Sequence, residues 1–241
     1  VVKHRDNNIL NTAIGRITMP HKVKIPDYVI ERIMAKRGKL SVFDTFDAAK
    51  TAFLVIDMQN FYVAEVDTAV SIVPNVNKIA AFCRNKGVPV FWVIMRCAEK
   101  EGAPSQWALY HDHFFTEAKG QNHLTKLSPG NAGYEIYPDL EVKDEDRIVT
   151  KNRFSPFIIG ASDLHNILQS MGIENLIVAG TATNMCSESA ARDAMMLDYK
   201  VVMVEDANAA RYDDDHLAGL TSFYQSFGDV KSTEDTIAMI K

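Results

Sequence analysis

The 241-residue sequence lacks the features that mark several large protein classes. No apolar run approaches the ~20 residues of a membrane span, which argues against a helical membrane protein. Positive charge is in deficit: 26 Lys and Arg stand against 31 Asp and Glu, for a net charge of −5. The basic residues are dispersed, so there is no electrostatic footprint for nucleic acid or a membrane surface. Only three cysteines occur, Cys83, Cys97 and Cys186, an odd number without CxxC spacing. That favours free thiols and a reducing compartment over a disulfide framework. The N-terminal stretch Val1–Asn8 lacks the apolar core of a secretory signal, so a cytoplasmic location is expected.

What is present is an ordinary globular composition, 47% hydrophobic, in a chain that suits one large α/β domain with an appendage. Residues 1–47 read as an N-terminal arm, punctuated by Pro20 and Pro26, with a short basic helix from Tyr28 to Lys39. Val29, Ile30, Ile33 and Met34 share a face of that helix and are expected to pack on the domain or on a partner subunit. Residues 48–241 then alternate between short apolar runs and helical patterns. Thr51–Ile56, Val88–Met95, Asp146–Thr150, Leu176–Ala179 and Val201–Val204 read as strands, with helices expected from Ser71 to Lys86, from Ser162 or Asp163 to Gly172, from Asn184 and from Asp213. Alternation of this kind predicts a three-layer α/β/α fold with a mostly parallel, doubly wound central sheet.

Three residues with chemistry follow three different strands. Cys186 falls in the first turn of the helix that follows the Leu176–Ala179 strand and the Thr181–Met185 turn, where free N–H groups and the helix dipole favour a thiolate. It reads as a nucleophile or as a small buried hydrophobe. Asp57 ends the first strand, where open α/β sheets place ligands, or where an aspartate caps a turn. Lys151 ends the Asp146–Thr150 strand; it is either a partnered buried lysine or a snorkelling one. Their convergence on one sheet edge is what favours the functional readings.

The long irregular insertion from Cys97 to Asn131 is expected to cover or shape a pocket, with Trp107 and Tyr110 as possible lid residues. His111, His113 and His123 within it raise the question of a metal. Residues two apart do not share a helix face, and no carboxylate completes a familiar spacing, so they are expected to be lid or surface histidines. Asp213–Asp215 reads as a charged helix start, not a metal cluster.

These motifs resemble the isochorismatase-like cysteine hydrolases over about residues 48–230: Leu54-Val-Ile-Asp-Met-Gln59, Val149-Thr-Lys151, and Gly180-Thr-Ala-Thr-Asn-Met-Cys186 with Ala190–Ala194 behind it. The resemblance implies that Asp57, Lys151 and Cys186 form an Asp-Lys-Cys catalytic triad. It implies a non-proline cis peptide at Thr181–Ala182, and an oxyanion hole from the N–H groups of Ala182 and Cys186. The family's vinyl-ether-cleaving member lacks the cysteine, so Cys186 argues against that chemistry. Nicotinamidases of the family carry an Asp-x-His metal motif after the second strand, where this chain has Arg96-Cys-Ala-Glu-Lys100. Arg153-Phe-Ser-Pro-Phe157 and the Asn-x-Cys turn look more like the ureidoacrylate and N-carbamoyl amidohydrolase branch.

The expected function is cysteine-dependent hydrolysis of a C–N bond in a small amide or ureido substrate through a thioester, without cofactor or metal. Asn60, Phe61, Arg153, Phe154 and Phe157 are the expected substrate-binding residues. Arg153 suits a substrate carboxylate or a structural ion pair. A homo-oligomer is expected from the resemblance and the arm. The alternatives are a hydrolase of an ester, hydrazide or vinyl ether, a non-catalytic binding protein, and a disulfide-exchange protein, which would need a resolving cysteine near Cys186.

Overall fold

A computed structural model describes residues 21, 22 and 24–241. The earlier part of the arm, including Pro20, lies outside the described residues. In chain order the elements are α1 (Asp27–Arg37), β1 (Thr51–Ile56), α2 (Asn60–Glu65), α3 (Ala69–Asn85), β2 (Val90–Met95), α4 (Ala108–His113), α5 (Glu117–Lys126), β3 (Arg147–Lys151), α6 (Leu164–Ser170), β4 (Asn175–Thr181), α7 (Glu188–Met196), β5 (Lys200–Ala209), α8 (Asp213–Ser226), β6 (Asp229–Lys231) and α9 (Thr233–Met239).

A strand with no polar face must be buried on both sides, and β1, β2 and β4 are buried at every position. The six strands lie in the order β3-β2-β1-β4-β5-β6, and each adjacent pair is parallel. Alternate side chains sort to opposite faces. Phe53, Val55, Trp92, Ile177 and Val202 pack with Ile72, Val76, Ile79 and Cys83 of α3 and Met239 of α9. Leu54, Ile56, Phe91, Val178 and Met203 pack with α6, α7 and α8 through Leu164, Leu168, Ala190, Ala194, Leu220 and Phe223. The result is the expected three-layer α/β/α architecture.

The arm docks on its own domain. Val29 and Ile33 of α1 pack on Tyr224 of α8, while Ile30 is half-buried and Met34 exposed. The helix touches essentially one neighbouring helix, so only the i, i+4 pair is buried, not the wider face expected. Beyond it, the buried Asp229 carboxylate accepts from the N–H groups of Val42 and Phe43 and from the Ser41 hydroxyl. Phe46 is buried beside Ile240 and its N–H donates to Met239.

Two features were not anticipated. β5 runs on to Ala209, past the expected end at Val204, with a register irregularity opposite Val178 and Gly180. Asn208 satisfies the carbonyls this leaves, donating to Val178 (2.9 Å) and Val204 (2.8 Å). A three-residue edge strand, β6, joins beyond β5, too short to announce itself in sequence.

Strand order reverses direction at β1, between β2 and β4, and it is outside the carboxyl ends of such neighbours that open sheets hold ligands. Close approach of β4 to β1 depends on Gly180, at φ 118°, where an added Cβ would lie 2.1 Å from the Ile56 carbonyl oxygen. Gly180→Ala is therefore expected to cost about 3 kcal/mol or more, through backbone strain plus overlap. Gly87→Ala, also at positive φ but in open space, should cost about 1 kcal/mol. Urea unfolding of both variants checks this; equal costs would contradict the close-approach account.

Candidate active site

β1 delivers Asp57. Its backbone turns into the left-handed region (φ 49°), a conformation that aspartate tolerates better than most side chains. Its N–H donates to Val93 (2.8 Å), and its carbonyl accepts from the Thr181 hydroxyl (2.9 Å). The carboxyl is fully buried.

Lys151, the last residue of β3, reaches past the end of β2 to the same point. Its Nζ donates to Asp57 Oδ2 at 2.7 Å and to the Arg153 carbonyl at 3.1 Å, and it too is buried. Burial opposes the lysine charge, but Asp57 and the Cys186 sulfur outweigh it and hold the Lys151 pKa above its ordinary value. Burial pushes the Asp57 carboxyl up, against the pull of Lys151. Asp57 Oδ1 makes no hydrogen bond of good geometry.

Cys186 stands in a wide helical turn, Thr183–Ser187, that precedes α7. The Thr181–Ala182 peptide before it is cis. The Ala182 carbonyl closes the turn by accepting from the N–H groups of Met185 (3.0 Å) and Ser187 (3.2 Å). Two effects oppose each other at the Cys186 sulfur, the helix start favouring a thiolate and burial a thiol. Burial pushes the Cys186 thiol well up and the Asp57 charge adds to this; Lys151 offsets only part. With Lys151 charged, the three groups are neutral when one proton is shared between Asp57 and Cys186; ionising both would bury a second, incompletely paired negative charge.

The other expected site residues are placed unevenly. Phe154 packs edge-on against Trp107 and Tyr110, whose rings stack 4.5 Å apart. The Arg153 guanidinium lies 5.1 Å from the Trp107 ring, and its Nη1 donates to the carbonyls of Gln106 and Asn152. Among the described residues no carboxylate pairs with it. Trp107, Arg153 and Phe154 line a cavity of ≈ 480 Å³, whose opposite wall is Ser189, Arg192 and Met196 of α7. Phe61 sits beside Met95, Cys97 and Leu127. Asn60 spends its side-chain amide on the Ala132 carbonyl (2.8 Å), and Phe157 packs toward Tyr199, away from the Trp107 cluster.

Several residues at this edge carried no clear signal in the sequence. Gln59 is buried and clamps β2 through both Met95 backbone groups, with a further bond to the Tyr134 carbonyl. Its place in Asp-Met-Gln, with no surface to occupy, was the available clue. Thr183 Oγ1 meets His216 Nδ1 at 2.7 Å, tying the turn that carries Cys186 to α8. His111 and His123 are buried, which corrects the expectation of lid or surface positions; only His113 is exposed. Burial holds His123 down at about 4, with His111 adding to the effect. Cys97 lies beside them, its thiol pushed up to about 12 by burial.

Asp57→Asn would leave the Lys151 ammonium buried without counter-charge, which should cost 3–5 kcal/mol, while Asp57→Asn with Lys151→Met recovers most of that. Denaturant unfolding of the four proteins gives the coupling. Single variants within about 1 kcal/mol of the wild type would contradict a dry, tightly coupled pair.

Comparison with known proteins identifies the family and the fold. The isochorismatase domain family matches residues 51–235. A probable inactive nicotinamidase of Arabidopsis thaliana is 34% identical over 177 residues, covering 70% of this chain and 86% of the relative. The ureidoacrylate amidohydrolase RutB of Pseudomonas savastanoi pv. phaseolicola is 31% identical over 207 residues, covering 77% and 82%. A cysteine hydrolase from Pseudomonas syringae pv. phaseolicola superposes with a TM-score of 0.72 at 24% identity, over 83% of this chain and 96% of that one, a likeness of fold. The chain belongs to the isochorismatase family of hydrolases.

Proposed function

We propose that the chain is a cysteine-dependent amidohydrolase that cleaves a C–N bond in a small amide or ureido substrate through a thioester. The observation that carries this is the buried Asp57–Lys151 pair at 2.7 Å with the Cys186 thiol set against both. The 31% identity to an amidohydrolase acting on ureidoacrylate supports the substrate class.

In this mechanism Asp57 takes the thiol proton as Cys186 Sγ attacks the carbonyl carbon. Negative charge then leaves the carboxylate and appears on the tetrahedral oxygen, while the Lys151 ammonium stays as counter-ion. The resemblance gives the N–H groups of Ala182 and Cys186 as the proposed oxyanion donors; those of Met185 and Ser187 are spent on the Ala182 carbonyl. A comparable donor is worth roughly 3 kcal/mol. Asp57 returns its proton to the departing nitrogen, giving ammonia or an amine and the thioester. Water, deprotonated by Asp57, releases the acid and restores the thiol.

The Arg153 guanidinium, with no carboxylate partner among the described residues, is the proposed seat of a substrate carboxylate in the cavity beside Trp107 and Phe154. The name of the Arabidopsis relative, a probable inactive nicotinamidase, describes that protein; this chain keeps all three residues of the proposed triad.

Ammonia release from a panel of simple amides and ureido acids tests the proposal. Release should be lost in Cys186→Ala, and Arg153→Gln should raise KM for carboxylate-bearing substrates by about tenfold or more. Activity retained by Cys186→Ala, or release confined to no amide or ureido acid at all, would overturn it. On the acid side kcat/KM should fall as Asp57 gains a proton and can no longer accept one. Because burial raises that group, the limb should lie above the ordinary value of 3.8.

A further inference from the structure

The insertion between β2 and β3 holds a second cluster of donor atoms that the mechanism above does not use. Cys97 lies just past the end of β2, pinned by its N–H to the Leu127 carbonyl (3.0 Å) and by its carbonyl from the Gln106 N–H (2.8 Å). His111 comes from α4 and His123 from α5. The two helices meet closely at Gly120, where a Cβ would stand 3.0 Å from the His111 carbonyl oxygen. His111 Nε2 is 2.9 Å from His123 Nδ1, and Cys97 Sγ is 3.6 Å from the same nitrogen. All three residues are buried, and their donor atoms lie within 4.8 Å of one another.

We propose that Cys97, His111 and His123 form a binding site for a single borderline divalent cation, zinc first, with one thiolate and two imidazole ligands and a fourth coordination position left open. A tetrahedral ion with bonds of ~2.0–2.3 Å needs ligand atoms roughly 3.3–3.8 Å apart, a spacing that small side-chain rotations of this cluster reach. Sulfur with two imidazoles is a donor set for zinc, cobalt or copper, not for magnesium or calcium.

The surroundings point the same way. A ligating histidine is held by its other nitrogen, and both far nitrogens have a holder. His111 Nδ1 lies 3.1 Å from the Trp107 carbonyl, which only accepts, and 2.7 Å from the Ser105 hydroxyl. A proton on Nδ1 serves the carbonyl and leaves Nε2 as a lone pair aimed at the cluster. His123 Nε2 faces the Tyr62 hydroxyl at 3.5 Å. Around His123 stand the rings of Phe61, Tyr110 and Phe115, at 5.4, 6.0 and 5.0 Å, an apolar shell that limits water. The donor set differs from Asp-x-His: Cys97 is its one member from Arg96-Cys-Ala-Glu-Lys100, and both histidines come from α4 and α5. The proton balance is simple. Cys97 loses its thiol proton to solvent, His123 moves its proton from Nδ1 to Nε2 toward Tyr62, and one proton is released per ion bound. Affinity therefore rises with pH.

The test is direct binding, separate from turnover, so its failure and that of the amidohydrolase proposal are distinguishable. Chelator-treated full-length protein is titrated with Co²⁺ and then Zn²⁺, followed by absorption and calorimetry. One equivalent per chain is expected, with a thiolate-to-cobalt charge-transfer band that persists in Cys186→Ala and vanishes in Cys97→Ser. Tyr62→Phe, which keeps all three ligands, should weaken binding about tenfold, and the exposed His113→Ala should bind as the wild type. Zinc should also protect Cys97 from alkylation under mild denaturant. Absence of binding, a band that survives Cys97→Ser, or equal affinity in wild type and folded His123→Ala would overturn the proposal. In that case the cluster is a hydrogen-bonded histidine pair beside a core thiol.

Discussion

The Asp57–Lys151 ion pair is the constraint around which the rest of the edge is arranged. A lysine and an aspartate both removed from water are tolerable only in good geometry with their remaining valences met. Here the contact is 2.7 Å, and the second lysine bond goes to the Arg153 carbonyl. One carboxylate oxygen is left without a good partner. That deficit is a cost to stability and a resource for chemistry, because an oxygen without a partner can receive a proton. Deposited next to it is a thiol whose own ionisation burial disfavours. In the proposed mechanism the two conditions favour proton transfer concerted with attack over attack by a preformed thiolate.

Around the pair, the backbone is fixed with unusual thoroughness. Thr181 bonds to Asp57 on one side of the turn that carries Cys186, and Thr183 bonds to His216 on the other. Gly219 of α8 lets that helix lie against the turn, with its would-be Cβ 3.0 Å from Asn184 Cα. Burial lowers His216 to about 3, so it stays neutral across the working range. Stacked on it at 4.1 Å is His21 of the arm, which also meets Asp213 at 2.6 Å and accepts from the Ala210 N–H at 3.0 Å. The arm thus reaches behind the turn that carries Cys186, and its docking and the site's rigidity are parts of one packing arrangement.

Much of this was readable in the sequence, because the signals were local. A fully buried strand needs a continuous apolar run, and β1 and β4 supply one, so their ends, and Asp57 and Cys186 with them, could be located. Lys151 was legible because a lysine closing an apolar strand is anomalous. What could not be read depended on direction or on distance in the chain. Asn60 and Phe157 are sequence neighbours of Asp57 and Lys151, yet one side chain turns to Ala132 and the other to Tyr199. Proximity along the chain does not fix where a side chain points. Cys97, His111 and His123 sit on three different elements, and no spacing rule joins them. Only the packing of α4 on α5 does. The protonation of Cys186 could not be read for a related reason. A helix start argues for a thiolate, but the depth of burial that opposes it belongs to the folded domain.

The protonation state of Cys186 at rest tests the central claim most directly. Thiolate absorption in the far ultraviolet, taken as the difference between wild type and Cys186→Ala across pH, reports it without any substrate. The account predicts no thiolate signal at neutral pH, with absorbance growing only above the ordinary thiol value of 9.0. A full thiolate signal at neutral pH would contradict it, and would mean that the proton already resides on Asp57 before substrate arrives.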